Sequence, residues 1–174
     1  MIEPLRQPLQ ELTSAWTSAE AMRNTCDYET VETNWRNVLN HLEKLWVKTE
    51  RCCQLQRAKF EPWQKQYKNL RSSDPLLLYL KHSRDADHHS VQNITYVIMS
   101  PPRIAPDRKS ILDWSGTEPV VGPVRNRGKT YPPPLSHLGE QLNTQDPRFL
   151  SVHGCNFYGE YLKRVRDTFF PTAP

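Results

Sequence analysis

Apolar residues recur along the first half of the chain at steps of three and four, the period that lines up one face of a helix. Leu5, Leu9, Leu12, Trp16 and Ala19 form one such stripe, with Gln7, Gln10, Glu11 and Ser14 elsewhere, and predict a first helix from about Pro4 to Arg23. Val31, Trp35, Val38, Leu42, Leu45/Trp46, Thr49 and Cys53 form a second, predicting a helix from about Glu29 to Gln56. The spacing persists in both stripes, so the two helices are expected to pack as an antiparallel pair. A short helical piece, Pro62 to Leu70, follows. Ser73-Asp74-Pro75 is a start signal: Asp74 can cap free N–H groups, and Pro75 suits a first helical position where its missing N–H needs no partner. The third long helix then carries Leu76, Leu77, Leu80, Arg84 and His88 along one side.

After this the pattern changes. Val91, Ile94, Thr95, Tyr96 and Val97 are β-branched or aromatic and read as a strand, or as the helix end entering one, stopped by Pro101-Pro102. Segments 110–114 and 119–124 read as short strands, and Tyr131 with Pro132 to Pro134 as extended chain. A last helix is predicted from about Asn156 to Phe170, with Phe157, Tyr161, Leu162, Val165 and Phe169 inward and Lys163, Arg164 and Arg166 outward. Proline supports this division, with four residues in 1–93, eight in 101–134 and three in the last forty. A proline costs about 3 kcal/mol inside a helix, so the middle of the chain cannot be a long one. The expected fold is mainly α: a four- or five-helix bundle with a small proline-rich β-hairpin or sheet insertion before the last helix. It reads as a single domain over 1–174, with a helical core at 1–93, the insertion at 94–140 and a C-terminal loop and helix at 141–174.

Hydrophobic residues are 37% and charged residues 24%, polar for a globular chain, but five Trp, seven Tyr and five Phe can anchor a core. Trp16, Trp35, Trp46 and Tyr161 fall on the apolar stripes and are expected there. No stretch approaches the ~20 apolar residues that span a bilayer, so no membrane role is expected. The N-terminus lacks the basic start and apolar run of a secretory signal. The four cysteines, Cys26, Cys52, Cys53 and Cys155, have no zinc-finger spacing and fit free thiols in a reducing cytoplasm. The net charge of +4 permits a polyanionic partner without requiring one.

The most polar run in an apolar context is Lys81-His82-Ser83-Arg84-Asp85-Ala86-Asp87-His88-His89, directly after Pro75-Leu76-Leu77-Leu78-Tyr79-Leu80. Burying such charges without partners is expensive. Arginine presents a planar fork matched to phosphate oxygens, and histidine exchanges a proton near neutral pH. Arg84-Asp85-Ala86-Asp87-His88-His89 resembles the motif of HEPN-domain ribonucleases: an Arg, a polar residue, three more residues, then His. The resemblance implies a small helical bundle and metal-independent RNA cleavage at a site formed where two protomers meet. It implies that Arg84 holds the scissile phosphate, that His89 acts on the ribose 2′-hydroxyl or the leaving oxygen, and that Asp85 orients one of them. It also implies a homodimer, a toxin or defence context, and a protein inhibitor or regulatory partner.

The Arg-x4-His spacing occurs three times, at Arg36–His41, Arg84–His89 and Arg148–His153. The neighbouring Asp and His residues single out Arg84. In a regular helix five residues turn through about 500°, so Arg84 aligns with His88 rather than His89, and either histidine is a candidate. The same run has two other readings. One is a polar helix end with local ion pairs; the other is a metal site at His82, Asp85 and His89, which recur at three and four residues but have no obvious fourth ligand.

A second cluster is Val124-Arg125-Asn126-Arg127-Gly128-Lys129-Thr130-Tyr131. On an extended chain Arg125, Arg127 and Lys129 would share one face and contact RNA phosphates, with Tyr131 free to stack on a base. Asn126-Arg127-Gly128 is equally a hairpin turn with solvated charges. Ser136-His137-Leu138-Gly139 reads as a loop rather than a site, and Pro132 to Pro134 as bracing. No glycine-rich phosphate loop, Ser-His-Asp pattern or nucleotide fingerprint is present, so neither a cofactor nor a metal is expected. Two functions follow: a HEPN-like endoribonuclease, or a non-enzymatic helical module that holds RNA or a protein through the basic insertion.

Overall fold

The computed structural model describes residues 4–25, 27–89, 92–99, 103–104, 111–113 and 117–171, with side chains described for all of these but 88, 89, 103, 104 and 111–113. The chain is mainly α, with five helices among the described residues and small antiparallel strand pairs before the last one. Helix α1 (Arg6–Arg23) is followed by helix α2 (Tyr28–Cys52), which Asp27 caps, its carboxylate accepting from the Thr30 N–H. They run antiparallel, and Glu11 in the first half of α1 meets His41 at 2.6 Å and Lys48 at 2.5 Å on α2.

The α2 stripe is buried as its periodicity demands, with Trp35, Val38 and Leu45 fully enclosed. Of the predicted α1 stripe, Leu5 and Ala19 are buried, and Ala15 and Met22 join them, whereas Leu9, Leu12 and Trp16 lie at its partly buried margin. Small residues at the centre let α1 sit close to its neighbours, and the large side chains seal the edges.

After a 3-10 turn at Gln54–Gln56, helix α3 (Arg57–Ser73) is longer than the piece expected from Pro62 to Leu70. Pro62 lies inside it rather than starting it. The proline forgoes one ladder bond, and the burial of Phe60, Gln64 and Tyr67 on either side holds the helix continuous. These residues join Trp46, Trp63, Phe157, Tyr161 and Phe169 in an aromatic layer, with Trp46 and Tyr161 stacked at 5.0 Å. Arg71 closes the layer. Its guanidinium lies 4.2 Å over the Trp46 ring and pairs with Glu43, a buried cation held by a face and a carboxylate.

Asp74 ends α3 and starts helix α4 (Pro75–His89), where it accepts from the Leu77 N–H at 3.0 Å. Helix α5 (Pro147–Phe169) begins well before the predicted Asn156. Asp146-Pro147 is the same start signal as Asp74-Pro75, with Asp146 accepting from the Arg148 N–H at 2.8 Å. Gly154, a weak helix former, obscures it in the sequence. It sits where α5 crosses α4 and α2: an added Cβ would be 2.9 Å from Leu80 and 3.1 Å from Leu42. Gly154→Val is therefore expected to cost about 2 kcal/mol by overpacking, read from urea denaturation. Gly154→Ala should be close to neutral, because its helix propensity offsets the crowding.

Strand β1 (Thr95–Met99) pairs antiparallel with β4 (Thr117–Val121), from Thr95↔Val121 to Met99↔Thr117. Strands β2 (Arg103–Ile104) and β3 (Ile111–Asp113) form a second antiparallel pair. The expected strand over 91–97 thus begins later, and its first residue, like Pro101-Pro102, lies outside the described residues. The predicted 110–114 strand is seen at β3 with its ends outside them. The 119–124 strand divides at Gly122-Pro123, where a Cβ on Gly122 would overlap the Tyr96 ring. Strands β5 (Val124–Asn126) and β6 (Lys129–Tyr131) make one hairpin, and β7 (Ser136–His137) and β8 (Glu140–Gln141) another. Both hairpins lie against α4, which α2, α3 and α5 also flank. Among the described residues no helix is long and apolar enough to cross a membrane.

Candidate functional site

The polar end of α4 follows from its helical phase. Tyr79, Ser83 and Ala86 stay on the buried side, so His82, Arg84, Asp85 and Asp87 come to its half-exposed flanks. The helix is unbroken through His89. Positions 84 and 88 therefore lie about 40° apart around its axis, and 84 and 89 about 140° apart. The structure puts position 88, not 89, on the Arg84 side; the side chains of both histidines lie outside the described residues.

Arg84 donates from Nη1 to Asp85 Oδ1 at 3.3 Å, a long contact, and its buried Nε has no acceptor. Its fork is thus only partly used. The other oxygen of Asp85 accepts from the Asn126 amide at 3.3 Å, and the same amide donates to His82 Nδ1 at 3.0 Å. Because an amide NH₂ only donates, His82 Nδ1 must accept, which places its proton on Nε2. The His82 ring stacks on Tyr131 at 3.7 Å and 14°. Burial, then Lys81 and the hairpin cations Arg127 and Lys129, hold the His82 imidazolium below the usual histidine range, against the opposing charge of Asp85.

Asn126 is thus the joint between the two sequence clusters. It is buried because the hairpin turns immediately after it. Arg127 (φ 50°) and Gly128 (φ 78°) are both left-handed, as a two-residue hairpin turn requires. The hairpin reading holds and the extended one does not. Arg125 opposes Thr130, Asn126 opposes Lys129, and Val124 opposes Tyr131, so Arg125 and Lys129 lie on opposite faces. Arg127 stands at the tip, and all three cations are exposed. The Gln92 side chain ties down the Arg125 backbone, at 3.0 and 2.8 Å. Tyr131 is not the free stacking platform that the sequence suggested, since His82 covers one of its faces.

The rival Arg-x4-His pairs are engaged elsewhere. Arg36 bonds Glu32 at 2.9 Å and pairs with Asp87 on α4, while His41 bonds Glu11. Arg148 clamps Asp146, and His153 faces His137. Among the described residues, no three His, Cys, Asp or Glu groups converge as metal ligands, and His82 Nδ1 is already taken by Asn126.

A second buried polar contact escaped the sequence reading. His137 Nδ1 lies 2.9 Å from Asp74 Oδ1, and the Leu138 N–H donates to Asp74 Oδ2 at 2.6 Å. The segment read as a loop is a hairpin whose turn, Leu138 (φ 51°) and Gly139 (φ 86°), is fastened to the start of α4. Two polar residues next to a turn signal are too common to mark such a contact; only the 63-residue separation closing in space reveals it. Comparison with protein-family models, with curated proteins and with solved structures finds no match to this chain.

Proposed function

We propose that the protein is a metal-independent endoribonuclease of the HEPN kind, working as a homodimer, with the end of α4 as its catalytic surface and the β5–β6 hairpin as part of its RNA-binding surface. The observation that supports this reading is the Asn126 bridge, which fastens a hairpin bearing Arg125, Arg127 and Lys129 beside Arg84 and Asp85. Cations gather the phosphate backbone, and the exposed part of the Arg84 guanidinium holds one phosphate in place. In the reaction a base removes the ribose 2′-hydroxyl proton, the oxygen attacks the adjacent phosphorus, and the 5′-oxygen leaves with a proton from an acid. Histidine at 88 or 89 supplies the proton transfers, and a twofold axis brings a second Arg and His to the same cleft. Asp85 orients Arg84. A toxin or defence role, and an inhibitor or regulatory protein that holds the activity in check, follow from the same resemblance.

The test is incubation of purified RNA with the protein in excess chelator, reading the cleaved ends. Cleavage to cyclic-phosphate and 5′-hydroxyl ends is expected, and it should be lost in Arg84→Ala and in the double change His88→Ala with His89→Ala, with the fold intact. Activity surviving both changes rejects the assignment. The hairpin gives a further expectation. Arg127→Ala with Lys129→Ala should weaken binding of single-stranded RNA and lower its salt dependence by about 0.7 per charge removed. The second reading, a binding module without catalysis, is favoured by the unbroken helix that separates positions 84 and 89. It predicts the same salt response with intact RNA recovered.

A further inference from the structure

Asp87 lies three residues after Arg84, a spacing at which opposite charges on a helix surface meet. It does not hold Arg84. Its carboxylate, with a side chain 14% exposed, pairs with Arg36 of α2. Arg36 also bonds Glu32 on its own helix, so its guanidinium is stretched between two carboxylates. Arg84 is left with the long contact to adjacent Asp85 and a buried Nε–H without an acceptor. Trp35, next to Arg36, is fully enclosed in the core and fixes the stem from which Arg36 reaches.

We propose that Arg36 is a positioning residue which sequesters Asp87, so that the Arg84 fork stays open for phosphate. The inference rests on the proposed role of the α4 end in handling RNA. An unpaired carboxylate one turn from a half-used guanidinium would capture it, and a phosphate would then have to displace an ion pair already made. A cation supplied from α2 removes that competitor without touching the substrate. Arg36 thereby contributes to the α4 site as a partner of Asp87 rather than through a motif with His41.

The test is a double-mutant cycle with two readouts. Arg36→Gln frees Asp87. It is expected to shift the Arg84 side-chain Nε–H resonance and to weaken binding of a non-cleavable 2′-deoxy-substituted RNA oligonucleotide about tenfold. Adding Asp87→Asn removes the competitor and should restore both. Asp87→Asn alone should leave both near wild type, and Arg36→Lys, which keeps a cation opposite Asp87, should do the same. If Arg36 only braces two helices, the double variant will be no better than Arg36→Gln, and that result overturns the proposal. So does an Arg84 resonance unmoved in folded Arg36→Gln. The resonance needs no RNA. A wild-type protein that fails to bind RNA therefore removes the proposed function, while the spectrum still decides whether Asp87 is withheld from Arg84.

Discussion

Arg84→Ala is expected to slow RNA cleavage at least a hundredfold and to leave the thermal midpoint within a few degrees of the parent. The two halves of this expectation have different causes. Arg84 has a side chain 30% exposed, and among the described residues its ion partner is its neighbour Asp85 at 3.3 Å. Exposed pairs of this kind contribute about 0–1 kcal/mol, so the fold loses little. A guanidinium aimed at a phosphate in the transition state contributes far more, because charge develops on oxygens it already faces; losing such a group costs about 10²–10³ in rate. Arg84→Lys separates charge from geometry. A lysine keeps the charge but not the fork, so its rate should fall between the two. Single-turnover cleavage with excess protein measures this without interference from product release. An alanine variant as fast as the parent would remove Arg84 from the chemistry.

Much of the helical framework is legible in the sequence, for physical reasons that differ by element. α2 is long and its apolar residues repeat at helical spacing over many turns, so its buried face follows from the pattern alone. α4 announces itself through Asp74-Pro75. The start of α5 carried the same dipeptide at Asp146-Pro147, yet Gly154 and the polar residues around it pull the local reading toward loop. Gly154 is there because Leu80 and Leu42 leave little room for a side chain. A tertiary contact thus outweighs helix propensity. α1 shows a subtler limit: its large residues mark most of the stripe by eye, but Ala15 and Met22, outside that stripe, are fully buried.

The candidate site was legible in its parts and not in its assembly. The charge density of 81–89 is visible in the sequence, as is the basic run at 125–129. That Asn126 joins them depends on a pairing across 41 residues, set by a hairpin turn with two left-handed residues. Alternation along an extended strand gives the wrong face for Lys129, because the chain reverses at Arg127-Gly128 before the alternation can continue. The spacing of His82 from Asp85 and His89 suggests a metal ligand, whereas the structure makes it the ring on which Tyr131 rests.

Asp74→Ala should be the most damaging single change of a polar group outside the α4 end, with a stability loss of about 3 kcal/mol near neutral pH. The residue is 6% exposed, and its two oxygens serve three groups on two parts of the chain: the Leu77 N–H, the Leu138 N–H and His137 Nδ1. Loss of the cap alone costs about 1 kcal/mol. The remainder comes from leaving polar groups of the β7–β8 hairpin buried without partners, about 1–3 kcal/mol each before relaxation. For a chain of this length the thermal midpoint should fall by roughly 6–12 °C. Burial works to raise the Asp74 pKa, but the His137 bond and the Leu138 and Leu77 N–H groups outweigh it, and the carboxyl is held below its ordinary value. A depressed carboxyl stabilises the folded chain above the unfolded value, about 3.9, and loses that contribution as pH falls through the folded one. The gap between parent and Asp74→Ala should therefore be full at pH 7 and narrow below about pH 4, as urea denaturation at several pH values will show. Asp74→Asn keeps one acceptor for the cap and should lie between them, with a smaller dependence on pH. A gap that is constant down to strongly acidic pH would mean that the carboxylate charge does not fasten the hairpin to α4.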